Sequence, residues 1–235
     1  MNGKLLFLQQ YYSVGARLLL GTTSGRGWPL PGMTNRFYCG DLPEGLGFGP
    51  IVAVDTEAMG LNPHRDRLCL VQLSAGDGDA HLVQFAPGAY AAPRLRELLA
   101  DRGVTKLFHF ARFDLAMIYH YLGVMATPIY CTKIASRLAR TFTDRHGLRD
   151  LCKDVLNIDL SKQQQSSDWG AETLTEEQLR YAASDVLHLH ALRSRLDAML
   201  AREGREQLAG ACFDFLPHRV MLDLEGWSEQ DIFAH

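Results

Sequence analysis

From residue 51 onward, apolar positions come first in short unbroken runs and later at helical spacing. The runs at 51–54, 68–73, 81–85 and 106–109 have the length and aliphatic content of buried strands. Turn residues separate the first three: Gly60, Asn62 and Pro63 after the first run, and Gly76-Asp77-Gly78-Asp79 after the second. Apolar spacing of three to four then predicts helices over 94–101, 114–121, 132–140, 148–155, 176–203 and 205–215, the second of them stopped by Gly123. Strands divided by turns, followed by strands alternating with helices, predict an α/β domain whose mixed sheet is flanked by helices. No internal repeat and no second domain boundary interrupts it.

The first 32 residues follow another pattern. Lys4, Arg17 and Arg26 are basic, no acid appears before Asp41, and the stretch from 21 to 31 is rich in Gly, Ser, Thr and Pro. It lacks the continuous apolar segment and cleavage site of a secretory signal. The expectation is a flexible leader or a translation start placed too early, with residues 33–235 as the folded domain. Without those three cations the formal charge is −6 rather than −3.

Composition narrows the class. With 47% hydrophobic and 22% charged residues, the 235-residue chain is ordinary for a soluble globule. No run approaches the roughly 18 apolar residues of a spanning helix, so no membrane role is expected. A net charge of −3 argues against coating long nucleic acid by charge, so a nucleic-acid partner must be short or held locally. Five widely spaced cysteines without a C-x-x-C pair predict neither a disulfide framework nor a zinc site, and a reducing cytoplasm fits them.

The chemistry gathers at element ends. Asp55 and Glu57 lie two apart at the end of an apolar strand, so both carboxylates project to one side. Two acids held together there are electrostatically costly unless a cation binds them. Alone, such a pair is more often a solvated strand end. Asp114 opens a predicted helix, where an acid is also a routine cap. Tyr181 and Asp185 lie four apart and share one helix face. Together, four carboxylates and one phenol form a set able to hold two hard cations through oxygen ligands, with a tyrosine to position water.

Asp55-Thr56-Glu57 after an apolar strand, Phe113-Asp114 opening a helix, and Tyr181 with Asp185 on a late helix resemble the three exonuclease motifs of the DEDD superfamily, in its tyrosine-bearing branch. The segment 161–169 resembles the stretch before the third motif in ribonuclease D. Within that branch the stretches 55–61, 64–69, 131–136, 143–148 and 226–235 are more similar to the nano-RNase C group, which degrades dinucleotides. Only 50 residues follow Asp185, which leaves no room for the extra helical domains of ribonuclease D.

The resemblance implies an RNase H-like fold, a mixed five-stranded sheet flanked by helices in a single domain. It implies two Mg²⁺ or Mn²⁺ ions held by Asp55, Glu57, Asp114 and Asp185, with Tyr181 orienting the attacking water. The implied activity is 3′–5′ exonucleolytic hydrolysis of short RNA, above all 5′-phosphorylated dinucleotides, to nucleoside 5′-monophosphates, with short DNA as an alternative substrate. It also implies a homo-oligomer, an octamer in that group.

Substrate contacts are less specific. Met59 and Leu61 stand where related dinucleotidases place an apolar wedge, although Leu61 could equally pack its loop. Phe110 follows His109 where many ribonuclease D-like nucleases carry Asn, leaving a stacking surface. Between 133 and 162 seven basic residues face four acids. Arg145, His146, Lys162 and Gln165, in predicted loops, are candidates for the substrate phosphate. Three rivals stay open: a ribonuclease D-like trimmer of longer RNA, a catalytically inactive nucleic-acid-binding module, and a hydrolase built on some of the nine histidines, such as His188 and His190.

Overall fold

A computed structural model describes residues 35–234 apart from Lys162 and Gln165. The leader at 1–32 and the candidates Lys162 and Gln165 therefore lie outside the described residues. Six strands form one sheet: β1 (Asn35–Cys39), β2 (Ile51–Ala58), β3 (Leu68–Ser74), β4 (Ala80–Gln84), β5 (Thr105–Phe108) and β6 (Ile129–Cys131), in the order β1-β4-β3-β2-β5-β6. The pairs β2–β3 and β3–β4 are antiparallel, while β1–β4, β2–β5 and β5–β6 are parallel. The mixed sheet agrees with expectation, but it holds six strands rather than five. The edge strand β1 is mostly exposed and lacks an apolar run, and β6 is only three residues long, so neither carries a strand-like periodicity.

The helices are α1 (Pro93–Ala100), α2 (Ala111–Leu122), α3 (Thr132–Ala139), α4 (Leu148–Leu151), α5 (Glu176–Leu187), α6 (Leu189–Arg202) and α7 (Glu206–Leu222). A wide helical turn, Cys152–Leu156, extends α4, and another, Asp223–Trp227, follows α7. Two helical expectations are corrected. The stretch 176–203 breaks at His188 into α5 and α6, although it contains no Gly or Pro. Tertiary contacts win there, because the first turn of α6 turns His190 Nε2 toward Ile51 O at 3.3 Å. Asp114 does not open a helix. It is the fourth residue of α2, and Phe110 holds the N-cap in a left-handed conformation, φ 66°.

The sheet is packed on both faces. Val71, Leu73 and Val83 join Leu95 of α1 and Leu115 of α2 in the main core, whereas Leu70 and Leu82 pack with Trp169, Leu174 and Ala182 of α5. The start of α5 is fixed by a capping box: Gln178 N–H donates to Thr175 Oγ1, and Thr175 N–H donates to Gln178 Oε1. That cap sets the rotation of α5, and so the direction in which Tyr181 and Asp185 point. Lys106 of β5 is fully buried, its ammonium donating to the carbonyls of Asp101, Val104 and Thr127.

Candidate active site

The site forms where β2, α2 and α5 meet. Ligand oxygens of Asp55, Glu57 and Asp185 all lie within 4.8 Å of one another. Among the described residues this is the one group of three His, Cys, Asp or Glu side chains spaced to hold a metal; His188 and His190 belong to no such group. The period of two along β2 puts Asp55 and Glu57 on one face, as the sequence predicts, and α5 lays Asp185 against them.

Asp114 enters by another route. It is buried and accepts a 2.7 Å hydrogen bond from Thr56 Oγ1, the residue between the two strand acids. The charges of Asp114 and Asp55 nonetheless act on each other and on Glu57. Thr56 was missed as a site residue; its only signal is its place between two acids, on the opposite side of the strand.

Electrostatics show what the cluster lacks. Burial raises all four carboxyls above their ordinary range, Asp55 to about 7 and Glu57 to about 10, and neighbouring acids add to it for Glu57, Asp114 and Asp185. Like charges enclosed in protein resist joint ionisation, and a cation relieves that cost. An all-carboxylate donor set suits hard oxygen-loving ions such as Mg²⁺ or Mn²⁺ better than zinc. The Tyr181 phenol lies beside Asp185 and acts on its carboxyl, and its ring lies 6.1 Å from that of buried Trp169. Burial and the nearby acids push its phenol up, so it stays a hydrogen-bond donor.

Three apolar side chains that lie near these acids in the chain are exposed. Met59, Leu61 and Phe110 are 59%, 83% and 46% exposed. The Met59–Leu61 loop is shaped by Asp66, which accepts from Asn62 N–H at 3.0 Å and from Arg65 Nε at 2.7 Å. A Cβ at Gly60 would collide with that carboxylate, so this turn requires glycine. Phe110 carries Lys133 Nζ 3.9 Å above its ring centroid. Non-glycine residues rarely adopt its left-handed backbone, and such strain clusters at functional sites. Two cavities, about 500 and 570 Å³, adjoin Phe110; the second is also lined by Leu61, His64 and Arg112.

His109 lies behind Phe110. Thr132 Oγ1 gives its proton to Phe108 O at 3.1 Å, so the 2.9 Å contact with His109 Nδ1 is donated by the imidazole, leaving Nε2 as a bare acceptor. Burial, with Lys133 adding to it, lowers the His109 pKa to about 3, so the ring is neutral.

Three arginines of the basic stretch turn out to be ion-paired. Arg145 reaches Asp150 at 3.1 Å and Asp154 at 3.4 Å, Arg140 reaches Asp154 at 2.7 Å, and Arg149 reaches Asp159 at 3.3 Å. His146 Nδ1 meets Ser136 Oγ at 2.8 Å, at the edge of the same network. Lys133 and Arg137, which were not among the sequence candidates for the substrate phosphate, line the cavity beside Phe110. No local signal distinguishes them.

Comparisons with known proteins agree with this geometry. A family model described as a 3′–5′ exonuclease matches residues 39–201. The structure of Brucella melitensis NrnC superposes with a TM-score of 0.84 at 57% identity, covering 86% of this chain and 98% of that one. The same Brucella protein is known bound to pGG and with bound Mg²⁺. Ribonuclease D of Gluconacetobacter diazotrophicus is 35% identical over 187 residues, 79% of this chain but 47% of its own length, so the chain spans about half the length of the curated relatives it matches. Escherichia coli RNase D, at 24% identity and a TM-score of 0.64, shares the fold. By its matched motif region and its likeness to NrnC, the chain belongs to the 3′–5′ exonuclease family and, within it, to the nano-RNase C group.

Proposed function

We propose that the protein is a metal-dependent 3′–5′ exoribonuclease that hydrolyses short RNA, preferentially 5′-phosphorylated dinucleotides, to nucleoside 5′-monophosphates. The observation that carries this reading is the convergence of Asp55, Glu57 and Asp185 within 4.8 Å, in a member of the nano-RNase C group. The pGG and Mg²⁺ found on the Brucella relative support the substrate and the ion.

In this reading Asp55, Glu57, Asp114 and Asp185 hold two divalent cations. When bound, these lower the pKa of the attacking water and neutralise charge on the leaving 3′ oxygen. Tyr181, beside Asp185 and Trp169, would give its one phenol proton as a hydrogen bond to the attacking water and so orient it toward the scissile phosphate. The exposed Met59, Leu61 and Phe110 offer apolar faces to two bases, and the cleft wall behind them excludes water. Lys133 and Arg137, beside Phe110, are better placed than ion-paired Arg145 to meet a terminal 5′-phosphate. Free thiols at all five described cysteines suit a reducing cytoplasm, and a homo-oligomer is the assembly the group membership favours.

Incubation of 5′-phosphorylated diguanylate with the protein tests the reading. Mononucleotide should appear with Mg²⁺ and vanish with EDTA; no Mg²⁺-dependent product would refute it. In the same assay Tyr181→Phe is expected to lower kcat by about 10²-fold with a small change in KM, because only a positioning hydrogen bond is removed.

Metal should also be visible in stability. A carboxyl raised in the folded state favours folding below its unfolded value and loses that contribution as pH rises through its folded value. For Asp55 the window runs from 3.8 to about 7. Cation binding favours the ionised form, so its stabilisation grows over the same window. At about 100 times its Kd, Mg²⁺ adds roughly 2.7 kcal/mol. The expected rise in Tm is roughly 5–10 °C at pH 8 and clearly smaller at pH 5. Thermal melts at both pH values check it, and equal shifts would contradict it.

A further inference from the structure

Gln72 is fully buried on β3, yet neither its Nε2 nor its Oε1 has a hydrogen-bond partner among the described residues. A buried amide left so costs about 1–3 kcal/mol for each unpaired group. An apolar residue would suit the surroundings better, since its cross-strand neighbour on β4 is Leu82, and Leu70 precedes it on the same face, both packed with Ala182 of α5.

Its position explains the exception. In the antiparallel β2–β3 pair, Gln72 lies directly opposite Asp55. Opposed residues share a sheet face with Cβ atoms about 4.5–5.5 Å apart, a gap a glutamine side chain spans readily. The acids differ in what orients them. Thr56 Oγ1 donates to Asp114, and the Tyr181 phenol lies beside Asp185 and acts on its carboxyl. Asp55 accepts the backbone N–H of Thr56 and, among the described residues, no side-chain donor. One carboxylate lacks an orienting side chain, and the amide facing it across the strands lacks an acceptor.

We propose that Gln72 is a positioning residue for the cation site: once Asp55 is ionised and holding metal, the Gln72 amide donates to it and fixes its orientation. The proposal rests on the reading of the four acids as a metal site. It assigns Gln72 no contact with substrate. Groups that orient a metal-binding side chain typically change metal affinity by about 10- to 100-fold when removed.

The test is Gln72→Met, similar in volume and without the amide, made in the full chain. Two measurements are needed: the melting temperature in EDTA, and Mn²⁺ affinity by calorimetric titration, with wild type and Asp55→Asn alongside. The variant is expected to melt at or above the wild-type temperature while binding Mn²⁺ at least about tenfold more weakly. Gln72→Asn, which keeps an amide but shortens its reach, should also bind Mn²⁺ weakly while melting lower. Unchanged Mn²⁺ affinity in Gln72→Met overturns the proposal, as does a variant that fails to fold, since the amide then serves the core. If wild type itself binds no Mn²⁺, the metal site falls and Gln72 with it; if wild type binds and Gln72→Met binds equally, only the Gln72 assignment falls.

Discussion

Replacing Asp55 or Asp185 with Asn is expected to abolish hydrolysis while leaving the fold intact or slightly more stable without metal. Each substitution keeps the shape of the side chain and removes one charge from the cluster. In the cation-free protein that charge is a burden, since burial raises both carboxyls and, for Asp185, the charge of Asp55 adds to it. Loss of one stops the site from holding its ions. Metal stabilisation of the transition state is worth several kcal/mol, and about 4 kcal/mol corresponds to a 10³-fold fall in rate. Initial rates on a dinucleotide, paired with melts with and without Mg²⁺, measure both halves. Near-normal turnover by either variant would remove the metal assignment. An intact variant should also lose the Mg²⁺-induced rise in Tm, which separates a lost ligand from a damaged fold.

The parts of this site that the sequence made legible are those ruled by local periodicity. Asp55 and Glu57 could be placed on one face because strands alternate, and Tyr181 with Asp185 because helices repeat near four. Their convergence needed the fold, and the family resemblance supplied it. What stayed hidden depends on contacts far apart in the chain. Thr56 orients Asp114 across 58 residues, and Gln72 meets Asp55 only through strand pairing. The basic stretch looked like a phosphate site because formal charge counts ignore partners. Asp150, Asp154 and Asp159 neutralise Arg140, Arg145 and Arg149, leaving Lys133 and Arg137 beside Phe110. Likewise β1 and the break at His188 carry no local signal, the first because an exposed edge strand needs no apolar run, the second because packing overrides helix propensity.

These ion pairs bear directly on substrate length. A nuclease that tracks a long strand needs a row of free cations along the backbone path. Here Arg140, Arg145 and Arg149, three of the six described cations of the basic stretch, are spent on neighbouring acids, and the formal charge of the chain is −3. Met59, Leu61 and Phe110 are exposed apolar side chains, of the kind on which bases can stack. A polyanion gains little from each added phosphate at such a surface and is repelled by its overall charge. In the proposed function, a two-residue substrate would bring one scissile phosphate to the acids and one terminal phosphate to Lys133 and Arg137.

The direct measurement is kcat/KM on 5′-phosphorylated RNA oligonucleotides of two to seven residues, at fixed Mg²⁺ and salt. Clearance of the dinucleotide at least about tenfold faster than every longer chain is the predicted result, the effect of roughly 1.4 kcal/mol in transition-state binding. Equal rates across the series, or rates that rise with length, would contradict a dinucleotide-specific site and point to ribonuclease D-like trimming of longer RNA.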